Sequence, residues 1–236
     1  MGQESIVANN KKAVVLCSGG LDSTTVLYYA IHEGYEVYPI SFYYKQRHQL
    51  ELLYLKRNLE KLGLLDRWKV FELDFNIIKS SALTDYSMDV PAGREPEDMV
   101  DIPVTYVPLR NTIFLSYAGA YAEANNIEDI FIGVNVLDYS GYPDCRPEYI
   151  QAFERMANLA TKSGVEGTKL TIHTPLIDLS KADIIQQGSQ LNVDYALTIS
   201  CYQVDEGGAA CGVCDSCRFR KEGFENAGIA DPTLYK

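Results

Sequence analysis

An apolar run, Ala13-Val14-Val15-Leu16, leads straight into Cys17-Ser18-Gly19-Gly20-Leu21-Asp22-Ser23-Thr24, and a helical pattern follows at once. Strand, glycine-rich turn and helix start, in that order, build an anion cradle. Gly19 and Gly20 let the backbone turn tightly and remove the side chains that would hold an anion away. The free N–H groups at the helix start point at the anion, and the helix dipole adds partial positive charge. Ser18, Ser23 and Thr24 add hydroxyl donors, and Asp22 is suited to hold a magnesium ion or to cap the helix. The string is neither Gly-x4-Gly-Lys-Ser/Thr nor Gly-x-Gly-x-x-Gly.

At 236 residues the chain is long enough for one substantial core with a small appendage. Apolar runs are only a few residues long, so no membrane-spanning helix is expected. Residues 1–10 are polar, without a signal-peptide core, and read as a loose tail of a cytoplasmic protein. A net charge of −11 argues against a dedicated nucleic-acid binder, which carries a basic face.

Strand and helix patterns alternate, which predicts an α/β fold: a Rossmann-like open parallel sheet with helices on both faces. Strands are expected at about 12–17, 36–44, 68–75, 129–135 and 169–173. Helices are expected at 22–33, 46–62, from 110–112 to 125, 147–162 and 181–187, the last capped by Ser180. Between Asn76 and Tyr106 the periodicity is lost, and a loop of that length suggests a lid or a disordered segment. The α/β domain is expected to span 1–195 and a cysteine-rich segment 196–236.

Cys201, Cys211, Cys214 and Cys217 crowd that segment. Two Cys-x2-Cys steps bring three thiolates together, with Gly212 easing the turn, and the upstream sulfur completes a tetrahedral set suited to one structural zinc ion. Arg218, Arg220 and Lys221 stand beside it in sequence and are placed to offset the site's negative charge. An iron–sulfur cluster is the alternative occupant, since Cys-x2-Cys-x2-Cys also occurs in ferredoxin-like runs. Unliganded thiols are the plainer alternative.

The Ser18–Ser23 string resembles the pyrophosphate loop of the N-type ATP pyrophosphatases, which split ATP between the α and β phosphates and adenylate a carboxylate or carbonyl oxygen. Further strings extend the resemblance over nearly the whole chain: Cys17 to Leu27, Gln46-Arg47-His48, Val107-Pro108-Leu109-Arg110-Asn111, Gly133-Val134-Asn135, Asp138 to Glu148, Ser200-Cys201-Tyr202 and Cys211 to Cys217. With these the chain is similar to the 7-cyano-7-deazaguanine synthase family of the queuosine pathway. It departs from that family at Lys45, where a glycine is expected.

The resemblance implies an adenine nucleotide alpha hydrolase-like fold, a homodimer and a definite reaction. A 7-carboxy-7-deazaguanine, ammonia and ATP give the nitrile through an adenylated acid and then an adenylated amide. Nucleotide contacts fall along Cys17, Ser18, Gly19, Gly20, Leu21, Asp22, Ser23, Thr24, Thr25, Val26 and Leu27, with magnesium screening the phosphates. Asp22, Ser23, Arg110 and Lys181 are the candidate catalytic residues, although Arg110 and Lys181 also read as solvated surface cations. Asn111 reads equally as a helix cap.

For the deazaguanine, Asp138 or Asp144 would accept paired N–H donors, Tyr139 or Tyr142 would stack, and Arg146 would meet the carboxylate, with Asn135 nearby. Cys145 reads as an inert small side chain before it reads as a nucleophile, and His48 as a structural group. The Tyr28-Tyr29 and Tyr43-Tyr44 pairs read as core and strand residues. Two other functions share the phosphate loop: a tRNA-thiolating or tRNA-amidating enzyme, and a nucleotide-binding module without turnover.

Overall fold

The computed structural model describes residues 11–44, 50–75, 77–93, 101–136 and 142–236. Lys45, the Gln46–His48 string, Asp138 and Tyr139 therefore lie outside the described residues.

The central strand β1 (Lys12–Leu16) is buried on both faces apart from Lys12, so its side chains split by parity. Ala13 and Val15 enter one apolar cluster with Val26, Leu27, Ile184 and Phe224. Val14 enters the other with Leu115, Ala118, Ile150 and Phe153. β2 (Glu36–Tyr43), β3 (Lys69–Glu72), β4 (Asp129–Phe131) and β5 (Thr171–His173) complete a five-stranded sheet ordered β3-β2-β1-β4-β5. Every pairing is parallel.

The first cluster is covered by α1 (Leu21–His32), α2 (Leu50–Lys61), α6 (Lys181–Gln190) and α7 (Asp215–Ala227). The second lies under α3 (Arg110–Ala124) and α4 (Pro147–Ala160), with the short α5 (Lys162–Val165) following. Pro147 occupies the first turn of α4, as its sequence position predicts. Ser180 closes a capping box on α6: its hydroxyl accepts from the Asp183 N–H, and Asp183 accepts from the Ser180 N–H. Strands three to five are shorter than expected. Beyond Phe131, the residues Gly133 to Asn135 leave the ladder and turn toward the cavity described below.

Two parts differ from expectation. The described residues of 77–93 and 101–109 pack closely against the body: Ala82, Leu83, Val90 and Val107 are buried, and Ala92 bridges to Cys214. Their partners are distant loops, so the apolar spacing carries no period. In the cysteine-rich segment, α7 was not anticipated. It ends at Gly228, which takes φ 68°.

Arg220, on α7, is 3% exposed and donates to Asp231, the Thr198 hydroxyl and the Tyr195 carbonyl. Its charge is thus matched by Asp231 instead of the cysteine sulfurs. Burial alone would raise the Asp231 carboxyl, but Arg220 and the Tyr235 hydroxyl hold it below its usual value.

The contact of α6 with α1 has no spare volume. A Cβ added at Gly188 would sit 1.9 Å from the Tyr195 hydroxyl oxygen and 3.1 Å from the Thr25 hydroxyl. That Tyr195 hydroxyl shares a hydrogen bond with Thr25 and donates to the Ile184 carbonyl. Gly188→Ala gains about 1 kcal/mol of helix propensity, but overpacking costs about 1–3 kcal/mol and each lost hydrogen bond about 1 kcal/mol. The expected net loss is about 2 kcal/mol, read as a lower urea midpoint. Gly228→Asn, at a left-handed position facing open space, is expected to change stability by less than about 0.5 kcal/mol.

Candidate active site at the carboxyl end of the sheet

β1 and β4 are neighbours, and the chain leaves β1 toward β2 on one side, so a crevice opens beyond their carboxyl ends. The Ser18–Ser23 loop fills this switch point and is already folded. The Ser18 N–H donates to the Ser23 hydroxyl, and the two hydroxyls lie 3.0 Å apart. The Gly20 N–H donates to the Ser18 hydroxyl oxygen, and the Ser23 hydroxyl donates to the Gly20 carbonyl.

Glycine is demanded here by neighbours as well as by backbone angle. Gly19 has φ 95°, and a Cβ there would lie 2.1 Å from the Glu51 carbonyl oxygen in the first turn of α2. A Cβ at Gly133 would sit 3.1 Å from the Ser23 nitrogen. The third neighbour is the stretch leading into the cysteines. The Ile199 N–H donates to the Gly19 carbonyl at 3.1 Å, and the Leu21 N–H approaches the Ser200 hydroxyl at 3.4 Å.

The cavity over this loop measures about 290 Å³. Cys17, Ser18, Gly20, Leu21, Asp22, Ser23, Arg110 and Asn135 line it, together with Glu51, Tyr142, Cys145, Ser200, Tyr202 and Ser216. Asp22 is fixed by Lys181, whose Nζ lies 2.6 Å from the Asp22 carboxylate from the first position of α6. Lys181 is therefore held at the site and is no free surface cation. Asn135 donates its side-chain amide to the Leu176 and Leu179 carbonyls, which ties the β4 exit to the segment before α6.

Arg110 opens α3 directly after Leu109, a non-glycine residue at φ 55°. Burial opposes the Arg110 charge, but Tyr44, Tyr142, Asp144 and Cys145 outweigh it and raise the guanidinium's pKa. Phe42, Phe114 and Tyr44 form an aromatic wall of the same cavity. The Phe42 and Phe114 rings stack 4.1 Å apart, 2° from parallel. Tyr44 is thus a cavity residue as well as a strand neighbour.

The structure places several of the expected site residues away from the cavity. Thr24, Thr25, Val26 and Leu27 are fully buried in the packing of α1. Thr25 donates to the Leu21 carbonyl and meets Tyr195. The helix period turns these four into the body and leaves the cavity to residues 17–23.

Asp144 is also buried. Its carboxylate accepts the Asn111 N–H, and its carbonyl accepts the Asn111 side-chain amide. Asp144, with Asn111, therefore fastens the start of α3, and Asn111 is not the cap. Arg146 precedes α4 and is exposed, outside the residues that line the cavity. Cys145 lines the cavity, but burial, helped by Asp144, pushes its thiol up to about 12, which fits an inert side chain.

Glu51, Ser200, Tyr202 and Ser216 are cavity residues to which sequence reading gave no role. Glu51 looks like any acid in a first helical turn, and Ser216 sits on the unanticipated α7. Burial pushes the Glu51 carboxyl up to about 7 although Arg110 pulls it down.

Behind the loop, the sulfurs of Cys201, Cys211, Cys214 and Cys217 all lie within 4.8 Å of one another. A tetrahedral metal–thiolate site with bonds of about 2.3 Å needs sulfurs about 3.8 Å apart, and Cys211 and Cys217 stand at 3.9 Å. The Gln203 and Cys211 N–H groups donate to the Cys201 sulfur, and the Cys214 N–H to the Cys211 sulfur, the support a bound thiolate requires. Contacts from the Cys201 and Cys217 thiols push the Cys214 thiol down toward thiolate. The cluster fits a metal ion.

A parallel sheet ordered 3-2-1-4-5, with a Ser-Gly-Gly-x-Asp-Ser phosphate loop at its switch point, defines a PP-loop ATP pyrophosphatase fold. A 4-thiouridine synthetase, solved as an RNA complex with bound ATP, has the same fold at a TM-score of 0.50 and 15% identity, over 92% of this chain and 50% of that one. The family described as queuosine biosynthesis protein QueC matches residues 12–228. The 7-cyano-7-deazaguanine synthase of Hydrogenovibrio crunogenus is 61% identical over 95% of this chain and 96% of its own length. That of Cellvibrio japonicus is 60% identical over 96% and 99%. The chain belongs to the QueC family. Among its described residues no helix is long and apolar enough to cross a membrane.

The cysteine cluster and the phosphate loop are one bond apart, which separates two variants. Cys214→Ser is expected to lose bound metal and thermal stability, and to weaken ATP binding with them. Ser200→Ala is expected to keep metal and thermal midpoint while ATP affinity falls roughly three- to tenfold, the worth of one hydrogen bond. Metal analysis, thermal melts and calorimetric ATP titration check both.

Proposed function

We propose that the chain converts 7-carboxy-7-deazaguanine, ammonia and ATP to 7-cyano-7-deazaguanine in queuosine biosynthesis, using one nucleotide site twice. The observation that carries this reading is the preformed phosphate loop lining one cavity with Arg110, its Asp22 paired with Lys181, within a family whose named relatives are 7-cyano-7-deazaguanine synthases.

A carboxylate is a poor electrophile because its oxygen cannot leave. Adenylation makes AMP the leaving group, and ammonia then gives the amide. Adenylating the amide oxygen lets AMP depart again, and the nitrile remains. In this reading the Ser18–Ser23 loop and the start of α1 hold the phosphates. Arg110 and Lys181 offset the charge that builds on the α phosphate as pyrophosphate departs. Asp22 keeps Lys181 in place and would help hold a magnesium ion that screens the phosphates.

With Asp144 engaged by α3, Asp138 takes the paired-acceptor role toward the deazaguanine. Tyr142, on the cavity wall, takes the stacking role beside or in place of Tyr139. Arg110 is better placed than exposed Arg146 to meet the substrate carboxylate. Zinc in the cysteine site is structural in this reading, since four thiolates leave no open position. A homodimer in the cytoplasm completes it. The likeness to the RNA-bound synthetase is one of fold, and the net charge of −11 speaks against an RNA substrate.

Purified protein with ATP, ammonium and the carboxy-deazaguanine is expected to yield nitrile and two AMP per turnover by mass spectrometry. Asp22→Asn is expected to lower product formation at least about 100-fold, with an unchanged thermal midpoint. Wild-type rates from that variant would remove the phosphate-loop assignment. Tight tRNA binding at physiological salt, or a visible iron–sulfur absorbance, would favour the tRNA-modifying alternative.

A further inference from the structure

Both halves of the proposed reaction release protons inside the cavity, and the acids already assigned there are engaged. Asp22 is paired with Lys181, and Asp144 is spent on the α3 backbone. Glu51 differs. It lines the cavity from the first turn of α2, with its backbone against Gly19. Among the described residues its carboxylate forms no ion pair or hydrogen bond.

The groups around it leave it the proton traffic. Arg110, from α3, keeps its charge, and Lys181 is committed to Asp22. Cys17, from the β1 end, and Cys145, before α4, are buried thiols raised above their ordinary values. Tyr44, after β2, and Tyr142 are raised likewise, first by burial. Tyr202 completes the wall from the cysteine-rich segment. The raised thiols of Cys17 and Cys145 and phenols of Tyr44 and Tyr142 offer no basic form near neutrality, whereas the Glu51 carboxyl is pushed up to about 7, where a general base works best.

We propose that Glu51 is the catalytic base of both stages, an inference that rests on the reaction proposed above. In the first stage the C–N bond forms as ammonia attacks the acyl-adenylate, and the C–O bond to AMP breaks. The nitrogen then carries one proton too many, and the Glu51 carboxylate takes it. In the second stage the adenylated amide carries two N–H protons. AMP leaves with one on its phosphate, the Glu51 carboxylate takes the other, and the electron pairs collapse into the nitrile. Between stages Glu51 returns its proton to water, and no electron is gained or lost.

The sign is fixed by the carboxyl. Below about pH 7 Glu51 is protonated and cannot accept, so the rate rises with pH through that value. The test compares full-length, metal-replete wild type, Glu51→Gln and Glu51→Asp at constant free ammonia across pH. AMP release is followed in single turnovers that start from the acid and, separately, from the amide. ATP–pyrophosphate exchange reports adenylation alone.

Wild type is expected to show an acid limb near pH 7 in both stages. Glu51→Gln is expected to lose that limb and be slower on the order of 100-fold, with exchange and thermal midpoint nearly unchanged. Glu51→Asp is expected to regain part of the rate together with the limb. A Glu51→Gln enzyme that keeps the wild-type rate and limb overturns the proposal. So does one that loses exchange and stability in parallel, because Glu51 would then be structural. Wild type that forms no amide or nitrile overturns the reaction itself, and Glu51's role with it.

Discussion

The site depends on three stretches of backbone approaching where no side chain fits. Gly19 lies under the first turn of α2, Gly133 lies against the start of α1, and Ile199 bonds to the Gly19 carbonyl. The Ile199 hydrogen bond is worth about 1 kcal/mol; what matters more is that the three contacts together leave the loop one shape. An anion cradle works when its N–H groups are already aimed, because turning them during the reaction would cost what the charge gains. The cysteine cluster belongs to this arrangement. It lies immediately after Ile199 and Ser200, so a metal that fixes Cys201 also fixes the far wall of the phosphate loop.

Charge follows the same economy of place. The chain carries −11, yet the cavity over the loop holds the start of α1 and Arg110, and Lys181 pairs with Asp22 at its edge. A polyphosphate repelled by the general surface is drawn to this one concavity, where low-dielectric walls concentrate the field. Burial opposes the charge of both Arg110 and Glu51 in that cavity, with opposite outcomes. Arg110 keeps its proton because the phenols, Asp144 and Cys145 favour the cation, while Glu51 holds its own because burial outweighs Arg110. One wall is therefore a fixed cation and the neighbouring one a titrating acid.

What was legible in the sequence was local. β1, the loop and α1 follow one another within residues 12–32, and each signals its form through neighbours in the chain. The four-cysteine cluster was legible too, because metal geometry needs close spacing. Long-range commitments were not. Asp144 reads as a substrate acid until its carboxylate is seen on the Asn111 amide, and Thr24 reads as a phosphate donor until the helix period buries it. Gly133 looks like a strand interruption, although its role is to let Ser23 come close. The cavity residues missed, Glu51, Ser200 and Ser216, are ordinary polar positions in their own segments and become a site only where three segments converge.

Using one nucleotide site for two adenylations constrains what else the cavity holds. The phosphate end must be indifferent to whether an acid or an amide oxygen attacks, and backbone amides with fixed cations meet that demand because they act on the phosphates, which are the same in both stages. The difference between the stages lies in the nitrogen, which arrives as a nucleophile in the first and must be stripped of protons in the second. A group that serves both stages therefore has to accept a proton near neutrality and release it between turnovers. An ordinary exposed carboxylate is too weak a base for this, and a buried thiol or phenol too seldom ionised. A half-desolvated acid beside a permanent cation lies between those limits, and the fold places Glu51 there by resting the first turn of α2 on a glycine.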